Sequence, residues 1–305
     1  MSLYKPTLFH GAATALITPF SGDEIDYPAL GNIIDRQIDA GISALVVAGT
    51  TGESATLTDR EYYDLTLFAK KRIAGRVPLI TGCGSNSTAH ALTLAKIACD
   101  AGADALMAVT PYYNKASDKG LLLHYRAIAD NATRPLILYN VPSRTGFHLS
   151  MELYRALAKH ENIIAVKEAS GDLGLLESLC AECGDVLDVY TGNDHQTVPA
   201  MKLGASGLIS VLSNVMPSEV SRLCTLCATG DFRQAGKLSC ELLPKMQALF
   251  REVNPIPVKY VASLQGLCAP EYRLPLCEPS PELARQLKRL FPSPKDSDRG
   301  GELLD

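Results

Sequence analysis

Apolar and polar positions alternate along the chain in a two-beat rhythm. Short apolar runs recur at Ala13 to Ile17, Ala44 to Ala48, Val77 to Thr81, Ala105 to Val109, Leu136 to Tyr139, Ile163 to Lys167, Val186 to Thr191 and Gly207 to Val211. Each run is continuous, the pattern of a strand buried on both faces as in a parallel sheet. Amphipathic stretches lie between them, including Tyr27 to Ala40, Asp59 to Ile73, Thr88 to Ala101, Gly120 to Asn131 and Ser150 to His160, each long enough for a crossover helix. Strand and helix alternating eight times predict an α/β fold whose parallel sheet closes as a (β/α)8 TIM barrel. Thr58-Asp-Arg-Glu61 predicts a capping box, Ser87 or Thr88 predicts the next helix cap, and Gly41, Gly75 and Gly102 fall where helices should stop. The alternative is an open doubly wound sheet, whose dinucleotide role requires a glycine-rich fingerprint after the first strand. Pro19-Phe20-Ser21-Gly22 is no such fingerprint.

After about Asn214 the strand rhythm stops, and helices are predicted at Ser218 to Thr229, Asp231 to Arg251, Pro257 to Leu267 and Pro279 to Leu290. The expected organisation is a catalytic barrel over 8–216, a C-terminal helical region over 217–291 and a disordered tail over 292–305, rich in Pro, Ser, Gly and charge. Composition narrows the partners. With 47 % hydrophobic residues and no apolar run approaching the roughly 18 needed to cross a bilayer, no membrane role is expected. A net charge of −4 without a dense Lys/Arg block argues against nucleic acid. The N-terminal stretch lacks the pattern of a secretory signal, so a cytoplasmic location is expected. Nine cysteines include the C-x-x-C pairs Cys180/Cys183 and Cys224/Cys227. Both pairs fall in stretches that read as helix, where i and i+3 share a face and reduced cysteine packs as a small hydrophobe; no metal is expected there.

Catalytic groups of an α/β barrel sit at the C-terminal ends of its strands, and here those ends are chemically loaded. Lys167 closes one apolar run directly before a turn. Low-dielectric surroundings favour the neutral, nucleophilic form of an amine, which suits a lysine that attacks a carbonyl and forms a Schiff base. The alternative is a lysine that snorkels from a strand end to water. The glycine-flanked Thr50-Thr51 turn can direct hydroxyls and backbone N–H groups at a small carboxylate, or can be only a tight turn with a helix cap. Tyr113 and Tyr139 carry phenols that can relay a proton with Thr51, or can simply pack. Arg144, in a Pro- and Gly-bounded loop, can hold a carboxylate in two hydrogen bonds or make a surface ion pair. Thr191-Gly192-Asn193-Asp194 and Ile209-Ser210 end the last two runs. The six histidines show no metal-ligand spacing, and no local motif resembles a Ser/His/Asp triad.

Five motifs in order carry a resemblance: Gly-Thr-Thr-Gly-Glu-Ser-Ala-Thr-Leu at 49–57, Thr-Pro-Tyr-Tyr-Asn at 110–114, Tyr-Asn-Val-Pro-Ser-Arg-Thr-Gly at 139–146, Val-Lys-Glu-Ala-Ser-Gly at 166–171 and Asn-Pro-Ile-Pro-Val-Lys at 254–259. From about residue 10 to residue 290 the chain resembles the 4-hydroxy-tetrahydrodipicolinate synthase (dihydrodipicolinate synthase) family of pyruvate-dependent class I aldolases and lyases. The resemblance implies a lyase that condenses pyruvate with L-aspartate 4-semialdehyde in lysine (diaminopimelate) biosynthesis. It implies that Lys167 forms the imine with pyruvate and that Thr51, Tyr139 and Tyr113 form a proton relay, with Tyr113 supplied by the neighbouring subunit. It further implies that Thr50 and Thr51 hold the pyruvate carboxylate and Arg144 that of the semialdehyde, that Gly192 belongs to the substrate site, and that the Ile209 carbonyl lies near the lysine amine. A homotetramer built as a dimer of dimers is implied, and no organic cofactor or metal.

Departures bear on regulation and specificity. Ser54, Asn86 and Tyr112 match a possible allosteric lysine site, but His90 stands where feedback-inhibited members have an acidic residue, and Tyr62 where many have histidine. Weak or absent inhibition by L-lysine is therefore expected, since an imidazole offers no carboxylate to an ammonium. Asn193 replaces an aspartate that many members carry before Asp194. Two rival functions remain: a pyruvate aldolase for N-acetylneuraminate or a 2-keto-3-deoxy sugar acid, and a non-catalytic small-molecule-binding barrel.

Overall fold

The computed structural model describes residues 7–292, so the predicted tail, apart from Pro292, lies outside the described residues. The apolar runs form eight strands: β1 (Gly11–Ala15), β2 (Ala44–Val47), β3 (Leu79–Gly82), β4 (Ala105–Val109), β5 (Leu136–Asn140), β6 (Ile163–Glu168), β7 (Asp188–Thr191) and β8 (Gly207–Ser210). Each pairs in parallel with its sequence neighbours, and β8 returns to β1 to close the barrel. Continuous apolar runs were needed because both faces are covered. Ala13, Val46, Ile80, Met107, Ile137, Ala165, Tyr190 and Ile209 pack together in one cluster, whereas Leu45, Leu79, Leu106, Leu138, Val166 and Leu208 belong to the larger core that includes the helices. Alternate residues of each strand thus point into and out of the barrel.

The longer helices between strands are α1 (Tyr27–Asp39), α2 (Asp59–Ile73), α3 (Thr88–Asp100), α4 (Asp118–Asn131), α5 (Met151–Leu157), α6 (Leu173–Cys183) and α7 (Thr197–Lys202), and a single helical turn, Pro142–Thr145, carries Arg144 where a loop was expected. The Thr58/Glu61 capping box and the Ser87 cap both form. Gly41, Gly75 and Gly102 all have positive φ just past helix ends, as the stop signals require. From Pro217 the chain is helical: α8 (Pro217–Ala228), α9 (Phe232–Ala248), α10 (Ile256–Leu264) and α11 (Pro281–Leu290). Among the described residues, no helix is long and apolar enough to cross a membrane.

Three local differences from the sequence reading have physical causes. The run from Val77 becomes a strand only at Leu79, because Pro78 has no N–H for a ladder bond. The run from Val186 becomes a strand only at Asp188, because the amides of Val186 and Leu187 turn back to the Cys183 carbonyl and close α6. A two-stranded antiparallel hairpin pairs Phe20–Ser21 with Glu24–Ile25 beside the barrel sheet, where no strand was expected. The C-x-x-C pairs lie on α6 and α8 as free thiols, and burial pushes the Cys180 and Cys227 thiols up to about 11.

The N-terminal end of the barrel is plugged. Phe9 stacks on Tyr190 with ring centroids 4.1 Å apart, and the Tyr190 hydroxyl donates to the Phe9 carbonyl at 2.8 Å. At Gly207 a Cβ would lie 2.0 Å from the Gly11 carbonyl oxygen, so only glycine permits the β1–β8 closure there. The opposite mouth stays open.

Candidate active site

Period-two alternation decides where Lys167 points. Ala165 faces the barrel interior, so Lys167, two residues on, faces it as well, and the β5–β6 register sets it directly beside Tyr139. The Lys167 Nζ lies 4.4 Å from the centroid of the Tyr139 ring, and the two residues are 5 % and 7 % exposed. A buried ammonium over an aromatic face is held by the ring quadrupole, with no carboxylate in salt-bridge contact among the described residues. This is not a lysine snorkelling to bulk water.

Above the pair opens a cavity of about 480 Å³ at the C-terminal ends of the strands, lined by Thr50, Thr51, Tyr139, Arg144, Lys167 and Gly192 among others. A larger groove, about 770 Å³, runs between α1 and the C-terminal helices, but no strand-end residue singled out above reaches it. Chemistry in this fold belongs at the strand ends, so the smaller cavity is the candidate site. Thr51 is buried and its Oγ1 accepts a hydrogen bond of 2.9 Å from Asn254 Nδ2. Arg144 is exposed at the rim, where its Nη2 donates to the Asn254 carbonyl at 3.0 Å.

Two of the expected site residues are not among those that line the cavity. Tyr113 does not line the cavity; it is 91 % exposed and sits in the left-handed region at φ +70°, an unusual conformation for a side chain of this size. Ile209 does not line it either, being wholly buried in the interior cluster one layer below.

Ser54, His90 and Tyr112 line a second cavity, of about 370 Å³, together with Tyr62, Asp59 and Glu53. Asn86 is not part of that lining; its carbonyl accepts from Asn114 Nδ2. Asp59 on α2 lies 3.6 Å from His90 Nε2, facing the imidazole.

Two residues to which the sequence assigned no role also shape the site. Asp194 is buried behind the site, accepting from Ser210 Oγ and from the backbone N–H groups of Val211 and Leu212. Burial pushes its carboxyl up, against the pull of those donors and of the Lys167 charge. Asn254 belongs to the helical region, which the strand-end rule does not reach. Its only signal was the Asn-Pro-Ile-Pro-Val-Lys motif.

Gly192 has a definite steric task. A Cβ there would lie 2.9 Å from Lys167 Cε and 2.7 Å from Ala169 Cβ. Gly192→Ala should therefore displace the lysine stem and lower kcat by about 10²-fold, the usual effect of a misplacement near 1 Å. Steady-state kinetics with a parallel melting curve separates this from unfolding.

Comparison with known proteins agrees with the geometry. The model of the dihydrodipicolinate synthetase family matches residues 8–292. The 4-hydroxy-tetrahydrodipicolinate synthase of Geobacter sulfurreducens is 46 % identical over 270 residues, 88 % of this chain and 93 % of that protein. The crystal structure of dihydrodipicolinate synthase from Aquifex aeolicus superposes with a TM-score of 0.90 at 43 % identity, covering 92 % of this chain and 97 % of that one. The enzyme from Acinetobacter baumannii, solved in complex with pyruvate, gives a TM-score of 0.91 at 38 % identity over 96 % of this chain and 99 % of that one. The chain belongs to the dihydrodipicolinate synthetase family.

Proposed function

We propose that this protein condenses pyruvate with L-aspartate 4-semialdehyde to 4-hydroxy-tetrahydrodipicolinate through an imine on Lys167. The observation that carries the reading is the buried Lys167 amine, set over the Tyr139 ring, in a cavity walled by the Thr50-Thr51 turn and rimmed by Arg144. The amine attacks the pyruvate carbonyl, and water leaves as the relay delivers a proton to the departing hydroxyl. The resulting iminium nitrogen accepts electrons as a methyl proton is lost. The enamine then forms the new carbon–carbon bond to the aldehyde, whose oxygen takes up a proton. The semialdehyde's own amine finally displaces Lys167 and regenerates the enzyme.

Thr50 and Thr51 receive the pyruvate carboxylate in this scheme, and Arg144 that of the semialdehyde. Thr51 and Tyr139 begin the proton relay. Tyr113, exposed on its own subunit, is assigned to the cavity of a neighbouring copy. The Ile209 carbonyl backs the lysine from below. A dimer of dimers supplies the neighbour, and the amine itself performs the electron-sink role for which other enzymes use a cofactor. The second cavity, lined by Ser54, His90 and Tyr112, binds L-lysine weakly or not at all in this reading, because His90 offers no carboxylate to an ammonium.

The reading is tested against the sugar-acid aldolases by offering pyruvate with either L-aspartate 4-semialdehyde or a polyhydroxylated aldehyde. A kcat/KM favouring the semialdehyde by about 10²-fold or more is expected, because a charged recognition group left unpaired is penalised heavily. Preference for the sugar would transfer the assignment to the rival aldolases.

A further inference from the structure

Asn254 touches both halves of the candidate site although it lies outside the barrel. Its side chain donates to Thr51 Oγ1, and its carbonyl accepts from Arg144. It is 6 % exposed and borders the substrate cavity. Its Oδ1 is buried and has no partner among the described residues. The amide is thus oriented with its donor toward Thr51, even though this leaves an acceptor unpaired.

That orientation has a chemical consequence. A hydroxyl that accepts from an amide N–H keeps its own proton for a different acceptor. Thr51 is therefore obliged to donate elsewhere, toward a bound carboxylate or the Tyr139 phenol. With the amide reversed, Thr51 would donate to Asn254 and the relay would begin with a blocked proton.

The segment carrying Asn254 is itself fixed to the Thr50-Thr51 loop. Glu53, two residues beyond Thr51, makes a 2.6 Å ion pair with Lys259, and both side chains are fully buried. Lys259 Nζ also lies 4.1 Å from the Phe20 ring centroid. Two buried polar links thus join the same two stretches of chain and hold Asn254 against the Thr50-Thr51 loop.

We propose that Asn254 is a positioning residue: it sets the direction of the Thr51 proton and, through its carbonyl, holds the Arg144 fork at the cavity rim. The inference rests on the imine reading given above. Asn254→Ala removes the donor. Asn254→Asp keeps the shape but replaces the donor by a carboxylate, which captures the Thr51 proton. Once protonated, the introduced carboxyl can donate again.

The test uses the full-length enzyme and measures kcat for the condensation from pH 8 down to pH 5.5, with end-point borohydride trapping of pyruvate on each variant. Expected are kcat losses of about 10²-fold at pH 8 for both variants, the scale of a proton-transfer contribution. Trapping should stay complete, and activity relative to wild type should recover on acidification for Asn254→Asp alone. A merely structural role would give two variants with parallel pH profiles. Complete trapping with kcat within about twofold of wild type, or parallel profiles, overturns the proposal while leaving the imine reading standing. Failure of the wild-type enzyme to trap pyruvate overturns both.

Discussion

Lys167→Ala should lower condensation activity by about 10³-fold or more, the scale seen when the nucleophile of a covalent mechanism is removed, while the protein remains folded. Among the described residues no other amine lines the cavity to take over the attack: the lining includes Arg144 and Arg251, and a guanidinium is always charged and not nucleophilic. The fold should survive because the residue makes no salt bridge among those described and its stem packs at an open strand end. Lys167→Arg sharpens the test, since it keeps a cation near Asp194 and over Tyr139 but cannot form an imine. Activity lost in both variants, with melting temperatures near wild type, isolates the chemistry of the amine. Activity retained in Lys167→Arg would mean that charge alone is required.

The largest loss of stability is expected at a different lysine. Lys259 and Glu53 form a pair with no side-chain exposure, in which burial pulls the Lys259 ammonium down and the Glu53 charge opposes that shift. Glu53 also accepts from the Arg273 backbone N–H at 3.3 Å. Taking away one partner leaves an uncompensated buried charge, which costs about 3–5 kcal/mol. Lys259→Met should accordingly lower the melting temperature by about 10 °C, from the usual few degrees per kcal/mol in a chain of this size. Adding Glu53→Gln should return much of the loss, because neither charge is then stranded. Exposed pairs such as Arg60–Asp64 should matter little by comparison. Thermal unfolding of the two single variants and the double variant measures the coupling. Additive losses would show that the two residues act independently.

These two lysines also mark how far the sequence could be read. Lys167 was legible because it ends a continuous apolar run, and a barrel places strand-end residues in one mouth whatever their separation along the chain. Thr50, Thr51, Tyr139 and Gly192 came into view for the same reason. The crossover helices were legible from amphipathic spacing and from caps such as Thr58 with Glu61.

Lys259 was not legible as a buried cation. On α10 a lone lysine reads as a solvated position, and its partner Glu53 is 206 residues away. Asn254 was hidden for a related reason: its contacts with Thr51 and Arg144 depend on how the C-terminal helices dock, which no local pattern encodes. Strand starts at Leu79 and Asp188 were misjudged where a proline and a closing helix turn overrode apolar character. The hairpin at Phe20–Ser21 and Glu24–Ile25 is simply too short to leave a period.

The most direct test of the imine on Lys167 is reduction with sodium borohydride in the presence of pyruvate, followed by mass analysis of the intact chain and its peptides. One reduced pyruvyl group per chain, located on the peptide that contains Lys167 and missing from Lys167→Arg, is the predicted result. A correctly folded protein that stays unlabelled, or that carries the label on another lysine, would contradict it.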